Sequence, residues 1–201
     1  MSLKKYSLWL CPTTGSEPHH RLNSAISQFS SILGSPRFAP HLTLHSPVYA
    51  ESGVDVLEQV RDYVEQLGQK LGDNVRANGI PIGIRDVTTG AHFYQCVLLH
   101  APFSDILLKA NAIAREKWNT AKDPKPFYPH VSLIYGDFDQ DKKEKLAKQI
   151  RDSLPANIRE DLSFTAKQVR VVSTAGPFEE WRDIGSVSIA SGEITFIKHD
   201  H

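Results

Sequence analysis

The chain has 201 residues, of which 40% are apolar, enough to bury one substantial core or two small lobes and too apolar for a disordered segment. Lysine plus arginine and aspartate plus glutamate both number 23, so no surplus positive charge is available to neutralise a long phosphate backbone. A small anionic ligand fits this balance better than duplex or long single-stranded nucleic acid.

The pattern begins with a strand, Tyr6 to Cys11, which is too short and too soon followed by Pro12 to be a signal sequence. Leu22, Ile26, Phe29 and Leu33 recur at helical spacing until Gly34 and Pro36. A strand over His41 to Val48 precedes a second helix carried by Val54, Leu57, Val60, Val64, Leu67 and Leu71. Ile80 to Val87 and Phe93 to His100 read as a hairpin turning at Thr88-Thr89-Gly90, followed by a helix from Phe103 to about Trp118. The Lys122-Asp123-Pro124-Lys125-Pro126 connection leads to a strand over His130 to Tyr135, and Asp141 to Ser153 is a charged helix with a solvated face. Leu162 to Thr174 and Trp181 to Ala190 supply further strands before a tail from Gly192.

Within this order one pattern occurs twice. Phe38-Ala39-Pro40-His41-Leu42-Thr43-Leu44 and Phe127-Tyr128-Pro129-His130-Val131-Ser132-Leu133 both read Phe-x-Pro-His-apolar-hydroxyl-apolar. Side chains alternate along a strand, so each histidine shares its face with the hydroxyl two positions on. Strand, helix, motif strand and helix appear in that order in each half, which points to an internal duplication with pseudo-twofold symmetry.

Two imidazoles and two hydroxyls converging from two strands suit hydrolysis of a phosphodiester. Histidine titrates near neutral pH and can act as base or acid, while Thr43 and Ser132 can clamp the phosphoryl oxygens. His45 shares the face of His41 in an unbroken strand, but four strand residues span about 13 Å, too far for both to hold one ion. His19-His20 and His199-Asp200-His201 read as exposed loop and tail residues. No metal site and no cofactor motif is expected. The two cysteines, Cys11 and Cys96, lack any Cys-x-x-Cys spacing, although the fold could bring them together.

At the two His-x-Thr/Ser-x tetrads the sequence resembles the 2H phosphoesterase superfamily. Leu8-Trp9-Leu10-Cys11-Pro12, Phe93-Tyr94-Gln95-Cys96-Val97 and Ile134-Tyr135-Gly136-Asp137 resemble more specifically the plant and fungal cyclic phosphodiesterases. The resemblance implies an α+β fold over residues 1–201, forming one bilobal domain. Two antiparallel-rich sheets related by the pseudo-twofold would meet at a central cleft, with helices outside. It also implies metal-independent hydrolysis of ADP-ribose 1″,2″-cyclic phosphate, a by-product of tRNA splicing, and of nucleoside 2′,3′-cyclic phosphates to 2′-phosphates. His130 would activate water, His41 would protonate the leaving oxygen, and Tyr135 would lie against the substrate. In an unbroken strand Tyr135 faces away from His130, so a bulge or turn is required for that role.

Trp9 and Phe93 are candidates either for stacking a nucleobase or for the core. Two other functional classes stand beside the small-molecule hydrolase: an RNA-end-processing enzyme of the same superfamily, acting on terminal cyclic phosphates or 2′-5′ linkages, and a non-catalytic nucleotide-binding module. A cytoplasmic monomer without a membrane segment, acting on a small cyclic-phosphate nucleotide or ADP-ribose substrate, is the expected setting.

Overall fold

The computed structural model describes residues 2–154 and 161–197. In chain order these form β1 (Lys4–Leu10), α1 (Glu17–Leu33), β2 (Leu42–Ala50), α2 (Gly53–Leu71), α3 (Asp73–Asn78), β3 (Ile80–Ile82), β4 (Asp86–Thr89) and β5 (Val97–His100). There follow α4 (Asp105–Lys117), β6 (His130–Ile134), α5 (Gln140–Ser153), β7 (Phe164–Ala166), β8 (Gln168–Ser173), β9 (Arg182–Ser188) and β10 (Ile194–Phe196). Short 3-10 turns occupy Phe93–Gln95 and Phe178–Glu180.

Ser16, Ser52, Ser104 and Asp139 cap α1, α2, α4 and α5 by accepting from backbone N–H groups in the first turn. Leu22 and Ile26 of α1 and Val56, Leu57, Val60, Val64 and Leu67 of α2 are buried at helical spacing, each large side chain stabilising the fold by about 1.5–3 kcal/mol. α2 packs on β2, β8 and β9, α1 on β6, and α5 on β4 and β5. No helix among the described residues is long and apolar enough to cross a membrane.

The strands form an antiparallel sheet in the order β10-β9-β8-β1-β2-β6-β5-β4, with β3 and β7 paired separately. The fold is α+β, as the resemblance implied. Its two motif strands are neighbours, and β2 meets β6 at one residue pair, Leu42 and Val131, through which the strand order runs continuously between the halves. Beyond that bridge the strands part, leaving a cleft between the two motifs.

Several boundaries differ from the sequence pattern. Ile80 to Val87 is two strands in different sheets, because Gly83 and Ile84 interrupt it and Ile84 N–H donates to Ser163 Oγ at 2.9 Å instead of continuing the ladder. Thr88 and Thr89 are not the turn; they pair with Leu98 and Val97, as suits β-branched residues. The reversal comes later, where Gly90 N–H donates to Gln95 O at 2.8 Å. A Cβ on Gly90 would lie 2.7 Å from Gln95 Cβ, so this tight loop excludes a side chain there.

Leu162 to Thr174 divides at Lys167, whose carbonyl accepts from Ile189 N–H at 2.9 Å. His19 and His20 lie in the first turn of α1 rather than in a loop. The tail supplies β10, and His199-Asp200-His201 falls outside the described residues. Cys11 and Cys96 are both free and buried.

Candidate active site

Each motif anchors its histidine in the same way. His41 Nδ1 donates to Ala39 O at 2.7 Å, and His130 Nδ1 donates to Tyr128 O at 2.7 Å. A carbonyl can only accept, so both rings carry their proton on Nδ1 and leave the Nε2 lone pair for a ligand. The intervening prolines, Pro40 and Pro129, explain the motif's third position. Proline fixes its own φ and confines the preceding residue to extended backbone, which holds the carbonyl two residues upstream over the ring.

Two irregularities then decide which side chains share the site. Along β1 and β2 the pairs are Tyr6↔Val48, Leu8↔His45, Trp9↔Thr43 and Leu10↔Leu42, so β2 carries extra residues near Ser46-Pro47 and at Leu44. The bulge at Leu44 puts His45 opposite Leu8 on the core side, against the face-sharing expected from strict alternation. There His45 stacks on Trp118, with ring centroids 5.5 Å apart. The displaced Leu44 carbonyl accepts from the buried Asn111 side chain on α4 at 2.7 Å. In the second motif, Ser132 pairs with Leu98 but Ile134 pairs with Val97, a bulge at Leu133. It reverses parity and brings Tyr135 to the face of His130 and Ser132, meeting the requirement that alternation imposed.

A cleft of about 330 Å³ is lined by His41, Thr43, His130, Ser132 and Tyr135 together. All five sequence-level candidates therefore meet in one place. Thr43 sits directly across from Trp9. Ser132 Oγ donates to Tyr94 O at 2.7 Å, so in this state its proton is committed within the protein. Tyr135 is buried and stacks on Phe38 of the other motif, centroids 3.7 Å apart and planes 11° from parallel. Trp9 lies flat on His41 rather than open to a base, while Phe93 packs between Tyr94, Tyr135 and Phe178.

The cleft also gathers Lys5, Ser7, Tyr94, Thr174 and Trp181, which motif reasoning missed. The signal for two of them was present: in Lys5-Tyr6-Ser7-Leu8-Trp9-Leu10 the even positions are core and the odd positions face the site. Among the described residues no carboxylate lines this cleft, although the whole chain carries equal numbers of acidic and basic residues. Zero net charge thus conceals a local site without anionic side chains.

Burial dominates the titration of both imidazoles. It pushes His41 down to about 4; the Ala39 carbonyl opposes this, and charge on His130 and Arg170 adds to it. His130 is also lowered, first by burial and further by His100, with the Tyr128 carbonyl acting the other way. Burial raises the Tyr135 phenol. At neutral pH the unliganded cleft therefore holds two neutral imidazoles, and an arriving anion is what favours a charged one.

A family model described as cyclic phosphodiesterase-like protein matches residues 4–189. A cyclic phosphodiesterase of Arabidopsis thaliana is 25% identical over 169 residues, covering 84% of each chain. A 2′,3′-cyclic-nucleotide 3′-phosphodiesterase of Saccharomyces cerevisiae is 22% identical over 237 residues, covering 91% of this chain and 99% of its own. Among solved structures, E. coli LigT complexed with 3′-AMP shares the fold, with a TM-score of 0.56 at 11% identity over 93% of this chain and 98% of that one.

Proposed function

The chain belongs to the cyclic phosphodiesterase-like family of 2H phosphoesterases and is a cyclic phosphodiesterase; we propose that His41 and His130 are its proton-transfer pair. The observation that carries this reading is the matched anchoring of both Nδ1 atoms at 2.7 Å, which leaves two Nε2 atoms for one cleft. The proposed substrates are nucleoside 2′,3′-cyclic phosphates and ADP-ribose 1″,2″-cyclic phosphate, the latter linking the enzyme to the by-products of tRNA splicing. Residues 1–201 act as one bilobal unit around the cleft.

His130 Nε2 takes a proton from water, and the water oxygen forms a bond to phosphorus. The bond from phosphorus to the 3′ oxygen breaks in line with that attack, and His41, protonated at Nε2, gives its proton to the leaving oxygen. The product is the 2′-phosphomonoester, and exchange with solvent resets both rings. Each positioned proton-transfer group contributes about 10²–10⁴ in rate. Burial alone favours neutral His41, but the Trp9 π face and the phosphate anion both support its charged form. Thr43 donates to a phosphoryl oxygen, and Ser132 does so on turning from the Tyr94 carbonyl. Tyr135 closes the wall beside the ribose.

These groups supply base, acid and charge stabilisation without a metal ion. A second substrate class, an RNA end bearing a cyclic phosphate, is favoured by an adjoining cleft of about 270 Å³. That cleft shares Thr43 and His130 with the first, and its further lining includes Arg115 and Lys125 together with Asp123. Retention of both imidazoles and both hydroxyls in one cleft argues against a purely binding role.

The test is product identification by phosphorus NMR. The protein in chelator is incubated with each nucleoside 2′,3′-cyclic phosphate, with ADP-ribose 1″,2″-cyclic phosphate and with an RNA oligonucleotide ending in a 2′,3′-cyclic phosphate. A 2′-phosphomonoester from the cyclic nucleotides supports the reading. Turnover only of the oligonucleotide would favour the RNA-end class, and nucleotide binding without turnover of any of them would favour the binding module.

A further inference from the structure

The His41 and His130 end of the cleft accounts for one phosphate, but the cleft continues along β1 into a second polar end that the reaction does not use. Lys5, Ser7 and Trp9 stand on one face of β1, and all three line the cleft with Ser46 and Thr174. Thr174 is bound to Lys5 through its backbone, its N–H donating to Lys5 O at 3.0 Å. Its side chain is different: Thr174 is 6% exposed, and its Oγ1 is buried without a hydrogen-bond partner. A buried hydroxyl left unpaired costs about 1–3 kcal/mol, and in a residue that lines a cleft it is a donor available to a ligand atom.

Neighbouring groups fix the ligand's charge. Ser7 Oγ accepts from Trp9 Nε1 at 3.1 Å, leaving the serine proton to be donated elsewhere. Among the described residues Lys5 forms no ion pair and no carboxylate lines the cleft. One ammonium and two hydroxyl donors with no competing anion describe a site for an oxyanion.

Spacing identifies which oxyanion. Ser7 Oγ lies 3.1 Å from Trp9 Nε1, against the ring on which His41 is stacked, and Lys5 stands two strand residues, about 7 Å, further on. In a nucleotide, six covalent bonds separate a phosphorus on the 3′ oxygen from one on the 5′ oxygen. At about 3.8 Å per three bonds, that path also spans about 7 Å. We propose that Lys5, Ser7 and Thr174 form a second subsite that takes a phosphoryl group on the 5′ oxygen of the ribose being processed, either a 5′-phosphate or the diphosphate of ADP-ribose. This rests on the reading of the cleft given above. Substrates carrying that second phosphate are then preferred to bare nucleoside cyclic phosphates.

The test is isothermal titration of the full chain with product-like ligands. Adenosine 2′,5′-bisphosphate is expected to bind about tenfold tighter than adenosine 2′-monophosphate, as one charge-assisted contact gives. That ratio should fall to less than threefold in Lys5→Met and should also fall in Thr174→Val. A parallel pair, ADP-ribose 1″-phosphate against ribose 1-phosphate, gives the ratio for a diphosphate, and the ratio that collapses in Lys5→Met identifies the occupant. Equal affinities within both pairs, or ratios unchanged in both variants, overturn the subsite. Turnover of adenosine 2′,3′-cyclic phosphate is measured separately. Its absence would defeat the hydrolase reading, while the binding ratios still decide this one.

Discussion

Trp9 lies flat against His41, with ring centroids 3.6 Å apart and planes 8° from parallel. Its indole N–H is fixed to Ser7, so the ring is held as a platform for the imidazole. An aromatic π face stabilises an imidazolium above it by about 0.5–2 kcal/mol, which breaks the near-equivalence of the two motifs and suits His41 to the acid role.

Replacing Trp9 with leucine should therefore lower kcat about tenfold and move the alkaline limb of the pH profile down by about 0.5–1 unit, because the protonated acid is lost sooner. Trp9→Phe should keep most of both. A change confined to KM, with the limb unmoved, would mean that Trp9 acts on the substrate and not through His41.

Asn111 should be a positioning residue for the site despite standing on α4, because its amide satisfies the Leu44 carbonyl freed by the β2 bulge. Asn111→Leu leaves that carbonyl buried and unpaired, and should cost about 1–3 kcal/mol in urea denaturation, with a fall in kcat. Unchanged stability would show that the bulge does not depend on it.

Much of this is legible in the sequence, and the rest depends on features that leave no local pattern. Helical spacing locates α1 and α2, and the repeated tetrads locate His41, Thr43, His130 and Ser132, because each is a local pattern. His45 takes the opposite face from the one that strict alternation predicts, because a bulge inserts one residue and leaves no mark on composition. Ile80 to Val87 reads as one strand in the sequence, and its division is hidden there because the two pieces differ only in their nonlocal partners, β7 and β5. The six-residue α3 is too short for any period to register. Thr174 enters the cleft from just past the end of β8, distant in sequence from both motifs, with nothing beside it to signal a site.

Stability should fall on the acid side. His41 and His45 are both pushed to about 4 by burial, below the value near 6.5 expected when unfolded. Between those values the unfolded chain binds more protons, so the stability that each neutral ring contributes is complete above about pH 6.5 and lost as pH falls toward 4. Each accounts for up to about 3 kcal/mol. His45→Phe, which can keep the stack on Trp118, should flatten the dependence of Tm on pH over that interval. An unchanged slope would contradict the assignment.

The two hydroxyls should not be equivalent. Ser132 Oγ holds the Tyr94 carbonyl in the turn at the mouth of the cleft, whereas Thr43 faces Trp9 across the strands. Thr43→Val should lower kcat about 10²-fold with little change in KM, as for loss of one oxyanion donor. Ser132→Ala should lower kcat and also raise KM, because the Phe93–Gln95 turn loses its tie. Identical effects in the two variants would argue against the distinction.

The account stands most directly on the dependence of kcat/KM on pH for a nucleoside 2′,3′-cyclic phosphate, measured in chelator for wild type, His41→Ala and His130→Ala. It predicts a bell for wild type, with each variant losing at least about 10² in rate and one limb of the curve. A wild-type profile flat from pH 5 to 9 with chemistry limiting, or a variant with undiminished activity, would contradict two imidazoles sharing one phosphorus.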